Sequence, residues 1–405
     1  MAAEPVSIVL VGIGGMGAVY VDELFNNPSG EDFTIVGAVD PAPGRCPRLA
    51  DLRAAGVPIF SDLAAFYASR TADLAVISSP HHFHASQTIA ALKSGSLVLC
   101  EKPAAGTIQE ARAMAAAERR TGRWAAIAYQ WSFSDAVQAL KADILGGRFG
   151  RPHRLACLYT WPRDRAYYTR NAWAGRLRTD NGAWVLDGPA NNAFAHDLHN
   201  MFYILGPDIR SCSFPIEIQG ELYRANAIEN YDTAAARILT DGGAEVLFWV
   251  SHASLRDRGP LLRFEFEKGT VTADGRGSGL RAVFTDGTTR AYGNPDAAPM
   301  KKLWDVLRAV RTGGSPVCGA AAASGQTLAV NGLQDSRPDV VEIPSPLRVV
   351  ERTGPSEWMR IRELDEAWER CYDESRLPSE IGVPWARAGR RINLRGYRNF
   401  PGLRS

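Results

Sequence analysis

The stretch "SIVLVGIGGMG" (residues 7–17) decides the fold. A short apolar run ends at Gly12, and the next residues set Gly12, Gly14 and Gly17 in GxGxxG spacing at the start of a helical pattern. A strand, a tight glycine turn and a helix N-terminus make a cradle for a pyrophosphate. The first glycine allows the turn, the second lets the anion approach the backbone, and the third lets the helix pack on the strand. Backbone N–H groups of Gly12, Ile13, Gly14, Gly15, Met16 and Gly17 are the expected donors. The next strand, "FTIVGAVD" (33–40), ends on Asp40, 23 residues after Gly17. A carboxylate there suits a ribose diol and repels a 2′-phosphate, which favours NAD. Arg45 and Arg48 follow closely and keep NADP as the alternative.

Outward from this motif the alternation continues. "DLAVISSP" (73–80), "SLVLCEKP" (96–103) and "WAAIAYQ" (124–130) read as strands, separated by alanine-rich helical segments. Strands spaced by helices give a parallel sheet with right-handed crossovers. Beyond about residue 130 the runs become more aromatic and β-branched, with Asp241-Gly242 and Asp286-Gly287 as turn signals. That pattern predicts a large, mainly antiparallel sheet. One helix is expected over 356–374, followed by an irregular tail with six arginines and no acid between Trp385 and Arg404.

The bulk numbers narrow the function classes. The 405 residues carry a formal net charge of +2, with 45% apolar and 22% charged residues, so nothing calls for nucleic acid. The N-terminus lacks a basic region before its apolar run, and no run reaches the roughly 18 apolar residues of a membrane span. The six cysteines, at 46, 100, 157, 212, 318 and 371, form no CxxC pair, and a reducing cytoplasm is the expectation.

Two features carry chemistry. In "LVLCEKP" (97–103) Glu101 and Lys102 follow a buried strand directly, at the carboxyl edge where open α/β sheets bind ligands. Five of the seven histidines fall in "PHHFH" (80–84) and "HDLH" (196–199). At helical spacing Asn192, His196, His199 and Asn200 share one face of an otherwise apolar segment. Such a stripe needs polar partners, either backbone or a hydroxylated substrate. No HExxH motif or nearby cysteine accompanies the histidines, and no metal site is expected.

The glycine motif, "SSPHHFH", "CEKP" and "NNAFAHDLHNMFYILG", in this order, resemble the Gfo/Idh/MocA family of oxidoreductases. The resemblance implies an N-terminal Rossmann domain and a C-terminal α/β domain with an open, mainly antiparallel sheet. It implies NAD(P), a sugar, glycoside or cyclitol substrate, and a homodimer or homotetramer. It makes Lys102 the catalytic lysine and His196 the active-site histidine. It also sets Pro80 and His84 beside the cofactor, and Ser79 and Glu101, next to them and to Lys102 in sequence, complete the expected cofactor-binding set. The expected domains are 1–128 for the dinucleotide, 129–345 for substrate and oligomerisation, and 346–405 as a helix and basic tail packed on the body.

One departure stands out. The family pattern has an aspartate four residues before the histidine, where this chain has Asn192. An amide cannot raise the pKa of a histidine as a carboxylate does. The expectation is that Asn192 orients a neutral His196, which takes a hydroxyl proton as hydride leaves for the nicotinamide. His199 and, from "YTWPRDRAYYTRNAWAGR" (159–176), Trp161, Tyr168 and Trp173 are the substrate-binding candidates, with Arg163, Arg165 or Arg170 meeting hydroxyls or an acid group. The rival readings are an NAD-dependent glycoside-cleaving enzyme working by transient oxidation, and a cofactor-binding regulator.

Overall fold

The computed structural model describes residues 4–402. Its backbone divides into two compact units. One holds the residues up to Phe133 together with Ala298–Ser324; the other holds Ser134–Ala297 and the residues from Gly325 onward.

The first unit is built on six strands: β1 (Val6–Val11), β2 (Phe33–Val39), β3 (Ile59–Phe60), β4 (Leu74–Ile77), β5 (Leu97–Cys100) and β6 (Ala125–Ile127). They lie in the order β3-β2-β1-β4-β5-β6, and every pair is parallel. The order reverses at β1 and β4, so the carboxyl ends of those strands open a crevice. β4 and β5 are nearly continuous apolar runs because both faces of a parallel sheet are covered.

The segment Ala298–Ser324, which the sequence reading put in the substrate domain, clusters with this unit. Its helix Lys301–Thr312 brings Trp304 Nε1 to Glu23 Oε1 at 2.6 Å and Arg311 to Glu31 at 2.7 Å. Cys318 O then accepts from Ile127 N at 2.8 Å, beside β6.

The second unit carries β7 (Pro152–Thr160), β8 (Pro215–Arg224), β9 (Thr233–Thr240), β10 (Glu245–Ser251), β11 (Arg258–Phe266), β12 (Gly269–Asp274), β13 (Leu280–Phe284), β14 (Thr289–Gly293) and β15 (Val341–Glu342). Their order is β14-β13-β12-β11-β7-β10-β9-β8-β15. The pairs β7–β10 and β8–β15 are parallel and the rest antiparallel. The expected open, mainly antiparallel sheet is therefore present.

The helix expected over 356–374 is shorter. Residues Arg348–Thr353 and Ser356–Ile361 form a hairpin, β16 and β17, turning at Gly354, and the helix spans Leu364–Glu374. The run "SEWMRI" alternates its side chains across a ribbon, which a helical reading overlooks. The C-terminal segment covers one face of the large sheet. Ile361, Leu364, Trp368, Cys371, Leu377 and Trp385 pack on Ala156, Leu158, Tyr223, Ala235, Leu247 and Trp249. β18 (Arg391–Asn393) then adds to β8.

Candidate active site

The glycine turn has the geometry its spacing implies. Gly12 sits at φ +80°, and a Cβ on it would stand 2.8 Å from Ser79 N; a Cβ on Gly17 would stand 2.1 Å from Gly12 O. Both positions exclude any side chain. Gly15 precedes the helix Met16–Asn26, whose first N–H groups face the turn. Ile13 is fully buried and Met16 is exposed. Asp40 stands just past β2, where its carboxylate accepts from Ile13 N at 2.9 Å and Ala42 N at 2.8 Å. It therefore fixes the turn and its neighbour together. Arg48 is drawn off to Asp22 and Asp51, and Arg45 lies against Gly14.

The edge beyond β4 and β5 is tied by His84. Its Nδ1 faces Pro103 O and its Nε2 faces Ser79 O, each at 2.8 Å. Burial pushes its pKa down, against the pull of the two carbonyls and of Glu101. Pro80 leads into the single turn His81–Phe83 before His84. The Lys102–Pro103 peptide, whose isomer the sequence left open, is cis.

The sequence reading did not supply a partner for Glu101. The carboxylate is buried, accepts from Tyr20 Oη at 2.7 Å and from Lys102 N at 3.1 Å, and pairs with Lys302 Nζ. Burial raises its pKa, but Lys302 above all, then Lys102 and Tyr20, bring it below the ordinary carboxylate range. Lys302 is itself 3% exposed and lies 201 residues away in sequence. Its only sequence signal is a basic residue on the apolar face of an amphipathic helix.

In the second unit the polar stripe is re-formed. The helix runs Ala195–Ile204, so Asn192 lies outside it, beyond the turn Pro189–Asn191, with φ −124° and ψ −83°. Proline starts that turn, and Asn192 leaves the helical region before the helix begins. Asn192 Nδ2 donates to Asp187 Oδ1 at 2.9 Å, and Asp187 Oδ2 accepts from Gly175 N at 2.7 Å. Thus Asp187, nine positions before His196, anchors Asn192. Asn192 and His196 are half-buried.

His199, expected to touch substrate, is fully buried. It stacks on Tyr203 at 5.6 Å, and burial, then Lys141, push its pKa down to about 3. Lys141 sits over the same tyrosine ring at 3.6 Å and donates to Ser211 O. The helix Ala195–Ile204 is buried over nearly its whole length, and His199 is enclosed with it.

Of the aromatic candidates, Trp161 lies under Arg163, and Trp173 lies 5.4 Å from Arg170. Tyr168 faces elsewhere. It lines a cavity of about 560 Å³ with Ile228, Glu229 and Trp358. Arg165 is 75% exposed beside Glu357. His252, absent from the sequence-based candidates, is buried, with its ring 5.4 Å from Tyr167 and 5.1 Å from Phe194.

Residues 6–129 match the model of an oxidoreductase family described as having an NAD-binding Rossmann fold. The match to the Gfo/Idh/MocA family model lies within the N-terminal unit. The inositol 2-dehydrogenase 1 of Mycolicibacterium vanbaalenii is 30% identical over 158 residues, which cover 39% of this chain and 45% of that protein's length. An inositol 2-dehydrogenase of Mycolicibacterium gilvum is 24% identical over 370 residues, covering 86% of the chain and 98% of the relative. Among solved structures, the WlbA dehydrogenase of Chromobacterium violaceum, in complex with NADH and UDP-GlcNAcA, superposes with a TM-score of 0.69 at 19% identity, over 84% of this chain and 95% of the other. That likeness is one of fold and takes in residues of both units.

Proposed function

We propose that the protein is an NAD-dependent oxidoreductase that transfers hydride between the nicotinamide and a secondary alcohol or ketone of a sugar, glycoside or cyclitol. The observation that carries this reading is the pair formed by a side-chain-free glycine cradle and a lysine at the carboxyl edge of the same sheet. The cradle fits a dinucleotide: Gly12–Gly17 would hold the pyrophosphate, and Asp40 keeps acceptor capacity for a ribose diol. Bound NAD supplies the hydride-accepting carbon.

The proton falls to this chain's own residues. Lys102 donates hydrogen bonds to the substrate oxygen as negative charge grows on it. Glu101, paired with Lys302, accepts from Lys102 N and so fixes the backbone that carries the lysine. His196 takes or returns the hydroxyl proton, with Asn192, four positions before it, held by Asp187. The inositol dehydrogenases among the relatives support a polyol substrate.

The proposal includes a homodimer or homotetramer that forms away from the sheet face already covered by the C-terminal segment. It also includes a cytoplasmic location, in keeping with six buried free thiols. Among the described residues no helix is long and apolar enough to cross a membrane.

The test is NADH absorbance across a polyol and sugar panel. Lys102→Ala and His196→Ala should each lower kcat by about a hundredfold or more while NADH fluorescence titration shows cofactor binding intact. Full turnover in both variants overturns the assignment. Release of free sugar from a chromogenic glycoside without net NADH would favour the glycoside-cleaving reading.

A further inference from the structure

Three strands of the second unit end at one edge of its sheet. β7 and β10 are parallel neighbours, and β12, antiparallel to β11, which is antiparallel to β7, runs the same way. Their carboxyl ends deliver Trp161 and Arg163, then His252, then Arg276 to one place. The ladder continues past the strands, since Trp161 N donates to Ser251 O and Arg163 N to His252 O, each at 2.9 Å.

The guanidiniums stack on the aromatic rings there. Arg163 lies 3.4 Å over Trp161 and 4.6 Å over Tyr167. Arg276 lies 4.1 Å over Trp161, and Arg170 lies 3.6 Å over Tyr167. The charges are poorly compensated. Arg276 bonds Tyr159 Oη at 2.6 Å and Asp257 at 3.2 Å. Among the described residues neither Arg163 nor Arg170 has a carboxylate within ion-pair distance. Burial, with Arg170 and Arg276 as like-charged neighbours, holds the Arg163 pKa below its usual value despite Tyr167 and Tyr168.

Two buried polar atoms at this edge lack a protein partner: Arg163 Nε and His252 Nε2. His252 Nδ1 faces Trp161 O at 2.9 Å and must donate to it, so Nε2 is left as an acceptor. A donor cluster of one sign beside a bare acceptor is costly for a folded protein alone, and it is what a ligand with an acid and a hydroxyl would satisfy.

The geometry points to an anion subsite in which Arg163, Arg170 and Arg276 bind a carboxylate or phosphate of the substrate, while His252 Nε2 accepts a hydroxyl beside it. The substrate is then an acidic sugar or cyclitol. This deepens the hydride-transfer reading above and rests on it for the word substrate, but its test does not require turnover.

Calorimetric titration without NAD compares glucuronate, glucose 6-phosphate and glucose. The expected result is a preference of about tenfold or more for one acidic probe over glucose, weakened by added salt; which acid wins separates carboxylate from phosphate. Arg163→Met, which keeps the stacking surface, and Arg170→Gln, on an exposed turn, should each remove most of that preference with melting temperatures near wild type. Equal binding of all three probes to the folded wild type, or a preference that survives in both variants, overturns the subsite. An acid preference in titration with no NADH formed from any probe would leave the subsite standing and count against hydride transfer. Turnover of polyols with no acid preference would do the reverse.

Discussion

At the residue scale, Glu101 shows how a buried charge is made tolerable. Taking a carboxylate out of water costs several kcal/mol, and here Lys302, Tyr20 and the Lys102 backbone offset it. Removing one partner strands the other. Lys302→Met should destabilise the fold by about 3–5 kcal/mol in urea denaturation, and adding Glu101→Gln should recover part of the loss. The pH dependence follows with a definite sign. The folded Glu101 has a lowered pKa, so its contribution is full above its unfolded pKa near 4.5 and is lost as pH falls through the folded value. His199 and His252, both near 3 when folded against 6.5 when unfolded, act the same way over a higher window. Below about pH 6.5 the unfolded chain takes up protons that the folded chain refuses, so stability declines between about pH 6.5 and 3. Melting temperature against pH should show that slope, and His199→Gln with His252→Gln should flatten its upper part. A flat wild-type profile would mean that neither imidazole is buried neutral.

At the element scale, the glycine turn sets the tightest demand. Gly17→Ala puts a methyl where only 2.1 Å separates it from Gly12 O, so the helix Met16–Asn26 must move off β1. The expected outcome is loss of NADH binding by fluorescence titration, at least about a hundredfold, together with a lowered melting temperature. Elements of this kind were legible because their signals are local: a strand, a turn and a helix start lie within a dozen residues. The stripe at Asn192 was misread for a related reason. Helical spacing is a property of a pattern, and Pro189 with the ψ of Asn192 breaks the pattern before the helix starts. The Glu101–Lys302 pair and the Arg163–Arg276–His252 edge were not legible in full, because each joins residues about 90–200 positions apart and no periodicity encodes which distant strand ends coincide.

At the scale of the whole molecule, the C-terminal segment is part of the fold of the second unit. Trp368 and Trp385 meet at a tilt with ring centroids 6.2 Å apart, Trp385 meets Tyr223 edge-on at 4.9 Å, and both tryptophans cover the sheet face that presents Leu158, Leu247 and Trp249. The basic tail finds backbone and acid partners on the same unit: Arg390 N donates to Ser336 O, Gly402 N to Asp335, and Arg391 lies near Glu217. Over its described residues, up to Gly402, the arginine-rich tail is thus an arm fastened at several points; Arg404, counted in the sequence reading, lies outside the described residues. If the arm seals the face, ending the chain after Pro344 should expose a contiguous apolar surface and produce aggregation, seen as a rise in light scattering. Trp368→Ala is the graded version. It leaves a cavity in place of a fully buried indole and should cost about 3–5 kcal/mol in urea denaturation without changing NADH affinity, since the glycine turn belongs to the other unit. A truncated chain that stays monodisperse, with unchanged stability, would show that the sheet face does not need its cover.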